Sequence, residues 1–149
     1  MIVSRTSGIH RATEYLIHAD IDQLSPVLLY RQINAGFTLF DVQTMLTEIA
    51  PHSAGSVLRF ILGKSVTARL RLGRQPERLT AQQSAVAFMY ARVFELAFIA
   101  FGSHHLAEQW LGQPCRALDG DVPLYVVDNP CAFRLVEAYL QRIEFGIYQ

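Results

Sequence analysis

The sequence predicts an all-α fold, and three observations carry that prediction. No segment alternates apolar and polar residues at period two for long enough to form a half-buried strand. The stretches between breakers carry helix punctuation instead, with Ser, Thr or Asn before the start, Pro at the first helical position and Gly after the end. The run from Thr80 to Gly102 holds no breaker and is apolar on nearly every side. The expected organisation is an N-terminal arm over 1–22, a helix-turn-helix region over 23–78, and a helical C-terminal domain over 79–149 built on a long central helix. Seven or eight helices are expected in all.

Taken in order, the first twenty or so residues, with Ser4, Thr6, Ser7 and Gly8, read as a mobile arm with a short turn of helix around Ala12 to His18. Ser25-Pro26 is an N-cap followed by Pro at the first helical position, and Gly36 is a C-terminal stop, which predicts a helix from Pro26 to Ala35. Thr38 opens a second helix in which Leu39, Val42, Leu46 and Ile49 recur at helical spacing until Pro51 forbids continuation. Either Ser53 or Ser56 opens a third, ending at Gly63, and Ser65 can cap a fourth from Val66 to Leu72. Gly73 and Pro76 then mark a loop.

Thr80 with Gln83 three residues on is a capping box. The helix it opens is lined by Val86, Phe88, Met89, Val93, Phe94, Leu96, Phe98, Ile99 and Phe101, so it is either the central rod of the fold or part of a subunit interface. Arg92 and Glu95 are expected to mark its wettest side. Ser103 caps a short helix through Trp110, and a proline-bounded loop carries Asp119 to Asp121. Leu124 to Val127 is long enough for one turn or an edge strand. Asn129-Pro130 starts the last helix, in which Phe133, Val136, Leu140 and Ile143 form a stripe and which Gly146 ends.

With 51% hydrophobic residues among 149, the chain can bury one sizeable core or two small ones, and a formal net charge of zero excludes a generic polyanion binder. The apolar run Ala85 to Phe101 contains Arg92 and Glu95 and is short for a membrane span. No apolar segment follows a basic start at the N-terminus, so no signal peptide is expected. Cys115 and Cys131 make no C-x-x-C pair and fit two free thiols in a reducing cytoplasm. Charge is unevenly spread. Arg59, Lys64, Arg69, Arg71, Arg74 and Arg78 face one acid, Glu77, in the middle of the chain, whereas from Thr80 onward acids outnumber arginines seven to four.

Catalytic and metal chemistry find little to work with. The histidines at 10, 18, 52, 104 and 105 lack the spacing that aligns zinc ligands on one helix face. There is no G-x-S-x-G, and neither cysteine has a histidine close by in sequence to act as its base. Gly63-Lys64-Ser65 matches the end of a phosphate loop but lacks the earlier glycine and the preceding strand. Asp119, Asp121 and Asp128 would suit a paired-carboxylate hydrolase in principle, but turn chemistry accounts for Asp119-Gly120-Asp121 without catalysis. No enzyme activity, metal or cofactor is expected. Trp110, Leu111, Leu118, Leu124, Val136 and Leu140 are most simply core. Phe145, Ile147 and Tyr148, beside or beyond a helix stop, point to docking, either back onto this chain or into a partner.

The ordered anchors Trp110-Leu111, Pro114, Leu118-Asp119-Gly120, Pro123-Leu124, Arg142-Ile143 and Gly146 resemble the C-terminal toxin-binding domain of Xre/MbcA/ParS-type antitoxins, the partners of RES-domain toxins. With the helix from Thr80 the likeness spans residues 80–149. Asp119 stands where the family's turn has the first of two glycines, and Cys131 stands near a position where a helix-start glycine is common.

The resemblance implies an antitoxin of the RES-Xre type II kind, with an Xre-like helix-turn-helix in front of the toxin-binding domain. It implies a cytoplasmic homodimer whose partner is a RES-domain toxin that degrades NAD, inhibited because the C-terminal domain and tail cover its NAD cleft. The expected toxin-binding residues are Leu118, Asp119, Gly120, Asp121, Arg142, Glu144, Phe145, Gly146, Ile147, Tyr148 and Gln149. Glu144 and a carboxylate at Gln149 would meet arginines meant for the pyrophosphate, and Phe145 and Tyr148 would stack where a ring lies. Operator DNA is a further expected partner, met by Lys64, Ser65, Thr67, Arg69, Arg71 and Arg74 through phosphates more than bases. That basic stretch also fits a solvated face, or one that pairs with acids elsewhere. The alternative function is a DNA-binding transcriptional regulator whose C-terminal domain only dimerises.

Overall fold

The computed structural model describes residues 11–71 and 78–144, with 64–71 described by their backbone alone. Among them are eight α-helices: α1 (Ala12–Ile17), α2 (Pro26–Ala35), α3 (Leu39–Ile49), α4 (Ala54–Arg71), α5 (Ala81–Phe101), α6 (His104–Leu111), α7 (Pro123–Val126) and α8 (Pro130–Glu144). No strand occurs among the described residues, only an isolated antiparallel bridge between Thr38 and Arg78. The all-α expectation holds.

Local capping places most of the helix starts. The side chains of Ser25, Thr38 and Ser103 accept from the backbone N–H groups of Leu28, Asp41 and Leu106, and Thr80 and Gln83 cap each other reciprocally. Asn129 Oδ1 accepts from the N–H groups of Cys131 at 2.8 Å and Ala132 at 3.1 Å, taking up two of the unpaired donors at the start of α8. Leu124 to Val127, too short to assign from sequence, contributes the single turn of α7.

α5 is the rod around which the rest is laid. It packs against α1, α2, α3, α4, α6 and α8, and Tyr90, Val93 and Phe94 in its middle are almost wholly buried. Its length and composition would let it cross a membrane, but here its partners are other helices of the same chain. Buried residues from Ala12 through Leu140 form one cluster, so the regions expected over 23–78 and 79–149 share a core. Phe37 to Thr38 and Arg78 to Leu79 tie them directly. The Leu79 N–H donates to the Phe37 carbonyl at 2.8 Å, the Phe37 N–H donates to Ser84 Oγ at 2.9 Å, and the Arg78 guanidinium donates to the Gly36 carbonyl. Gly36 has φ of 91°, and a Cβ there would collide with the Leu79 carbonyl oxygen, so only glycine allows this crossing.

The third and fourth helices expected from sequence are the two arms of α4, which meet at a kink at Gly63, whose φ of 81° and ψ of 169° are non-helical. The expected Gly63-Lys64-Ser65 link is thus shortened to one residue. Gln83 Nε2 donates to the Leu62 carbonyl at 3.1 Å, satisfying an acceptor where the helical ladder breaks.

Two expectations for the N-terminal side are corrected. The short helix expected around Ala12 to His18 is present as α1, but it is not part of a loose arm, since Ala12, Thr13, Leu16 and Ile17 are buried. The arm residues 1–10 lie outside the described residues. Glu95, read as lying on the wet side of its helix, is 2% exposed. Both differences have one cause, because α1 lies over Glu95. Thr13 donates to Glu95 Oε1 from its hydroxyl at 2.5 Å and from its N–H at 3.3 Å. Arg11 Nε and Arg92 Nη1 approach Oε2 at 3.4 and 3.3 Å. Arg11 also pairs with Asp20 and Asp22 at 3.0 and 3.1 Å. Burial works against its charge, but Glu95, Asp22 and Asp20 together outweigh it and its pKa rises.

Glu95→Leu would leave the buried Thr13 hydroxyl without its acceptor, a loss of about 1–3 kcal/mol. A lower urea midpoint than wild type at neutral pH is the expected outcome, with Glu95→Gln falling between the two. An unchanged midpoint for Glu95→Leu would show that the contact is not stabilising.

Candidate functional site

The acidic turn before α7 is closed by its own backbone. The N–H groups of Leu118 and Gly120 donate to the Cys115 carbonyl at 3.0 and 2.9 Å, and the Cys115 N–H donates to the Asp121 carbonyl at 3.0 Å. Asp121 and Asp119 in turn donate to Leu118 and Arg116. Such a tight loop requires two successive left-handed residues, Asp119 at φ 57° and Gly120 at φ 96°. Glycine suits both positions, and Asp suits the first because a short polar side chain tolerates this conformation better than a branched one. The departure from a double glycine therefore leaves the turn intact. Cys115 and Leu118 are buried beneath it, while Asp119, Gly120 and Asp121 are exposed.

α7 and α8 are pinned behind this turn. The Tyr90 hydroxyl, buried in α5, donates to the Leu124 carbonyl at 2.7 Å, and burial together with the Asp128 charge raises its pKa. Trp110 lies between Phe101 and Tyr139, with ring centroids 5.6 and 5.5 Å away, joining α5, α6 and α8. α8 turns Val136 and Leu140 inward, with neither exposed, and keeps Phe133 and Ile143 half-buried beside them. The opposite side of α8 is what remains open.

Between the turn and the start of α8 is a cleft of about 390 Å³. Ala117, Leu118, Val126, Ala132 and Leu135 supply its apolar lining, and Asp119, Asp121 and Asn129 supply polar groups. Leu135 is 50% exposed, an unusual position for a leucine on an otherwise amphipathic helix. Nearby in the chain, Tyr125 of α7 is also exposed and meets Phe60 of α4 edge-on at 5.9 Å.

Of the toxin-binding residues expected from sequence, the structure brings Leu118, Asp119 and Asp121 to this cleft, with Gly120 in the same turn. Arg142 and Glu144 are exposed on the last turn of α8. Helical spacing puts Arg142, seven residues after Leu135, on the same side as the cleft, and Glu144 on the other side, seven residues after Glu137. Glu137 Oε2 lies 4.0 Å from Arg92 Nε. Phe145, Gly146, Ile147, Tyr148 and Gln149 lie outside the described residues, as does Arg74. Lys64, Ser65, Thr67, Arg69 and Arg71 are on the helical backbone of α4 beyond Gly63, and their side chains are outside the description. Sequence reasoning missed Ala117, Val126, Ala132 and Leu135. Leu135 alone left a signal, as a leucine outside the inward stripe of its helix.

Among the described residues no three His, Cys, Asp or Glu side chains converge as metal ligands would. The arrangement offers a firm, partly apolar and acid-rimmed surface, suited to contact with another macromolecule.

Comparison with known proteins bears on this surface directly. Residues 96–146 match the family model of the antitoxin Xre/MbcA/ParS C-terminal toxin-binding domain. The match begins inside α5, covers α6, the acidic turn, α7 and α8, and takes in every residue of the cleft. None of the curated proteins compared matches the chain.

Because position 119 needs a left-handed backbone, Asp119→Gly should leave the thermal midpoint near that of wild type, whereas Asp119→Val should cost about 1–2 kcal/mol. Thermal unfolding of the two variants checks this; equal midpoints would mean that the turn does not hold its φ.

Proposed function

From the toxin-binding domain matched over residues 96–146, we propose that this chain is the antitoxin of a type II toxin–antitoxin pair and that its partner is a RES-domain toxin that degrades NAD. The match to that domain is the observation that carries the reading. It acts in the cytoplasm by occupying the toxin, without chemistry of its own. Residues 79–149 serve the toxin and residues 23–78 serve DNA, with 1–22 as the preceding arm.

Inhibition on this reading is steric. α8 delivers the segment after Glu144 to the toxin's nucleotide cleft, where Glu144 meets arginines otherwise used for the pyrophosphate and Phe145 and Tyr148 take the place of a ring. Gly146, Ile147 and Gln149 complete the plug, and Arg142 lies at its base. Supporting this, α8 carries exposed Arg142 and Glu144 on the turn from which the segment leaves.

The basic stretch from Arg59 to Arg78 supports a second task, repression of the chain's own operon as a homodimer through a helix-turn-helix. Lys64, Ser65, Thr67, Arg69, Arg71 and Arg74 would meet mainly phosphates there, so binding would weaken steeply with salt. A regulator that uses its C-terminal domain only to dimerise would bind the same DNA and leave NAD untouched.

Cells expressing the RES-type toxin encoded beside this chain should lose NAD, and co-expression of the chain should restore it. Deleting Ile147 to Gln149, or introducing Glu144→Lys, should abolish that protection while far-UV circular dichroism stays helical. NAD levels restored equally by both variants would remove the plug from the account, and no protection by the wild-type chain would remove the antitoxin reading.

A further inference from the structure

We propose that the cleft between the acidic turn and α8 is the main anchoring site for the toxin, and that it receives an apolar side chain flanked by lysines or arginines. The inference rests on the antitoxin reading above and assigns affinity and inhibition to different parts of the chain. The cleft holds the toxin, and the segment after α8 blocks it.

Leu135 is the first reason. The inward face of α8 is already filled by Val136 and Leu140, so a half-exposed leucine beside them adds little to the core. It lines the cleft instead, together with the small side chains of Ala117 and Ala132 and the buried Leu118. An apolar side chain seated there would lose its own hydration and remove that of Leu135 together, the arrangement found at binding hot spots.

Charge names the partner's chemistry. Asp119 and Asp121 line the cleft, both exposed and neither in an ion pair among the described residues, and Asp128 is exposed close by in the chain. The arginines of this region, Arg116, Arg134 and, further along the same side of α8, Arg142, do not line it. A neutral or acidic apolar segment would strip water from these carboxylates without return, whereas flanking basic residues would pair with them at the rim. Preorganisation is the third reason, since the turn is closed by its own hydrogen bonds and α8 is capped by Asn129, so little order has to be imposed on binding.

The test uses the full chain and the purified toxin, with affinity measured by titration at low and at high salt. Leu135→Asp should weaken binding by more than about tenfold, yet at higher concentration it should still inhibit NAD hydrolysis to the wild-type end point. Asp121→Lys, which removes nothing from the core, should weaken binding several-fold and flatten its salt dependence. Thermal midpoints of both variants are read alongside, and if Leu135→Asp unfolds the chain, Asp121→Lys decides. Wild-type affinity in both variants overturns the proposal while leaving the antitoxin reading intact. A switch from dimer to monomer in Leu135→Asp without toxin would assign the cleft to a second copy of this chain and also overturn it. No binding of toxin by the wild-type chain would overturn both.

Discussion

Taking the Glu95 carboxylate out of water costs several kcal/mol unless its oxygens are met by donors and opposite charge. It lies in the middle of α5 at 2% exposure, and its partners come from two places: Thr13 and Arg11 at the N-terminal end of the fold and Arg92 one turn back in α5. Its burial therefore depends on α1 staying docked. Arg92 carries the constraint onward, since it also approaches Glu137 on α8. The first and last helices of the described fold are thus fixed against the same side of one rod, and the positions of the remaining helices follow from packing against it.

That arrangement decides which surfaces are left for partners. α8 spends Val136 and Leu140 on the core and Tyr139 on the ring stack with Trp110, so Leu135 remains on its open side. The acidic turn, closed on its own backbone and seated over Cys115 and Leu118, forms the facing wall. A cleft built this way inherits the rigidity of the core behind it. The first half of the fold shares that core through the crossing of Gly36 to Thr38 with Arg78 to Leu79, so a partner held by α8 is held by the whole molecule.

What was legible in the sequence was whatever local chemistry dictates. Ser25-Pro26, Thr38, Thr80 with Gln83, Ser103 and Asn129-Pro130 each satisfy unpaired backbone donors within a few residues, and each marks a helix start in the fold. The helical turn around Ala12 to His18 was legible, but its burial was not, because its anchor, Glu95, lies 82 residues from Thr13. The same separation made Glu95 look solvent-facing, since an acid beside an arginine on a helix ordinarily is. At the site, Leu118, Asp119 and Asp121 could be named from a turn whose order of residues resembles a known family. Ala117, Val126 and Ala132 could not, because small and medium apolar residues become a cleft only when two elements meet. Leu135, a leucine outside the stripe of Phe133, Val136, Leu140 and Ile143, was the one missed lining residue with a signal in the sequence.

On the proposed reading the toxin meets the face formed by the acidic turn, α7 and α8. Hydrogen–deuterium exchange of the chain alone and in complex with the toxin tests it most directly. Slowed exchange is expected only over residues 115–135 and from Arg142 onward, with α2 and α3 unchanged. Slowed exchange confined to the basic stretch or to α2, with the turn and α8 as before, would contradict it.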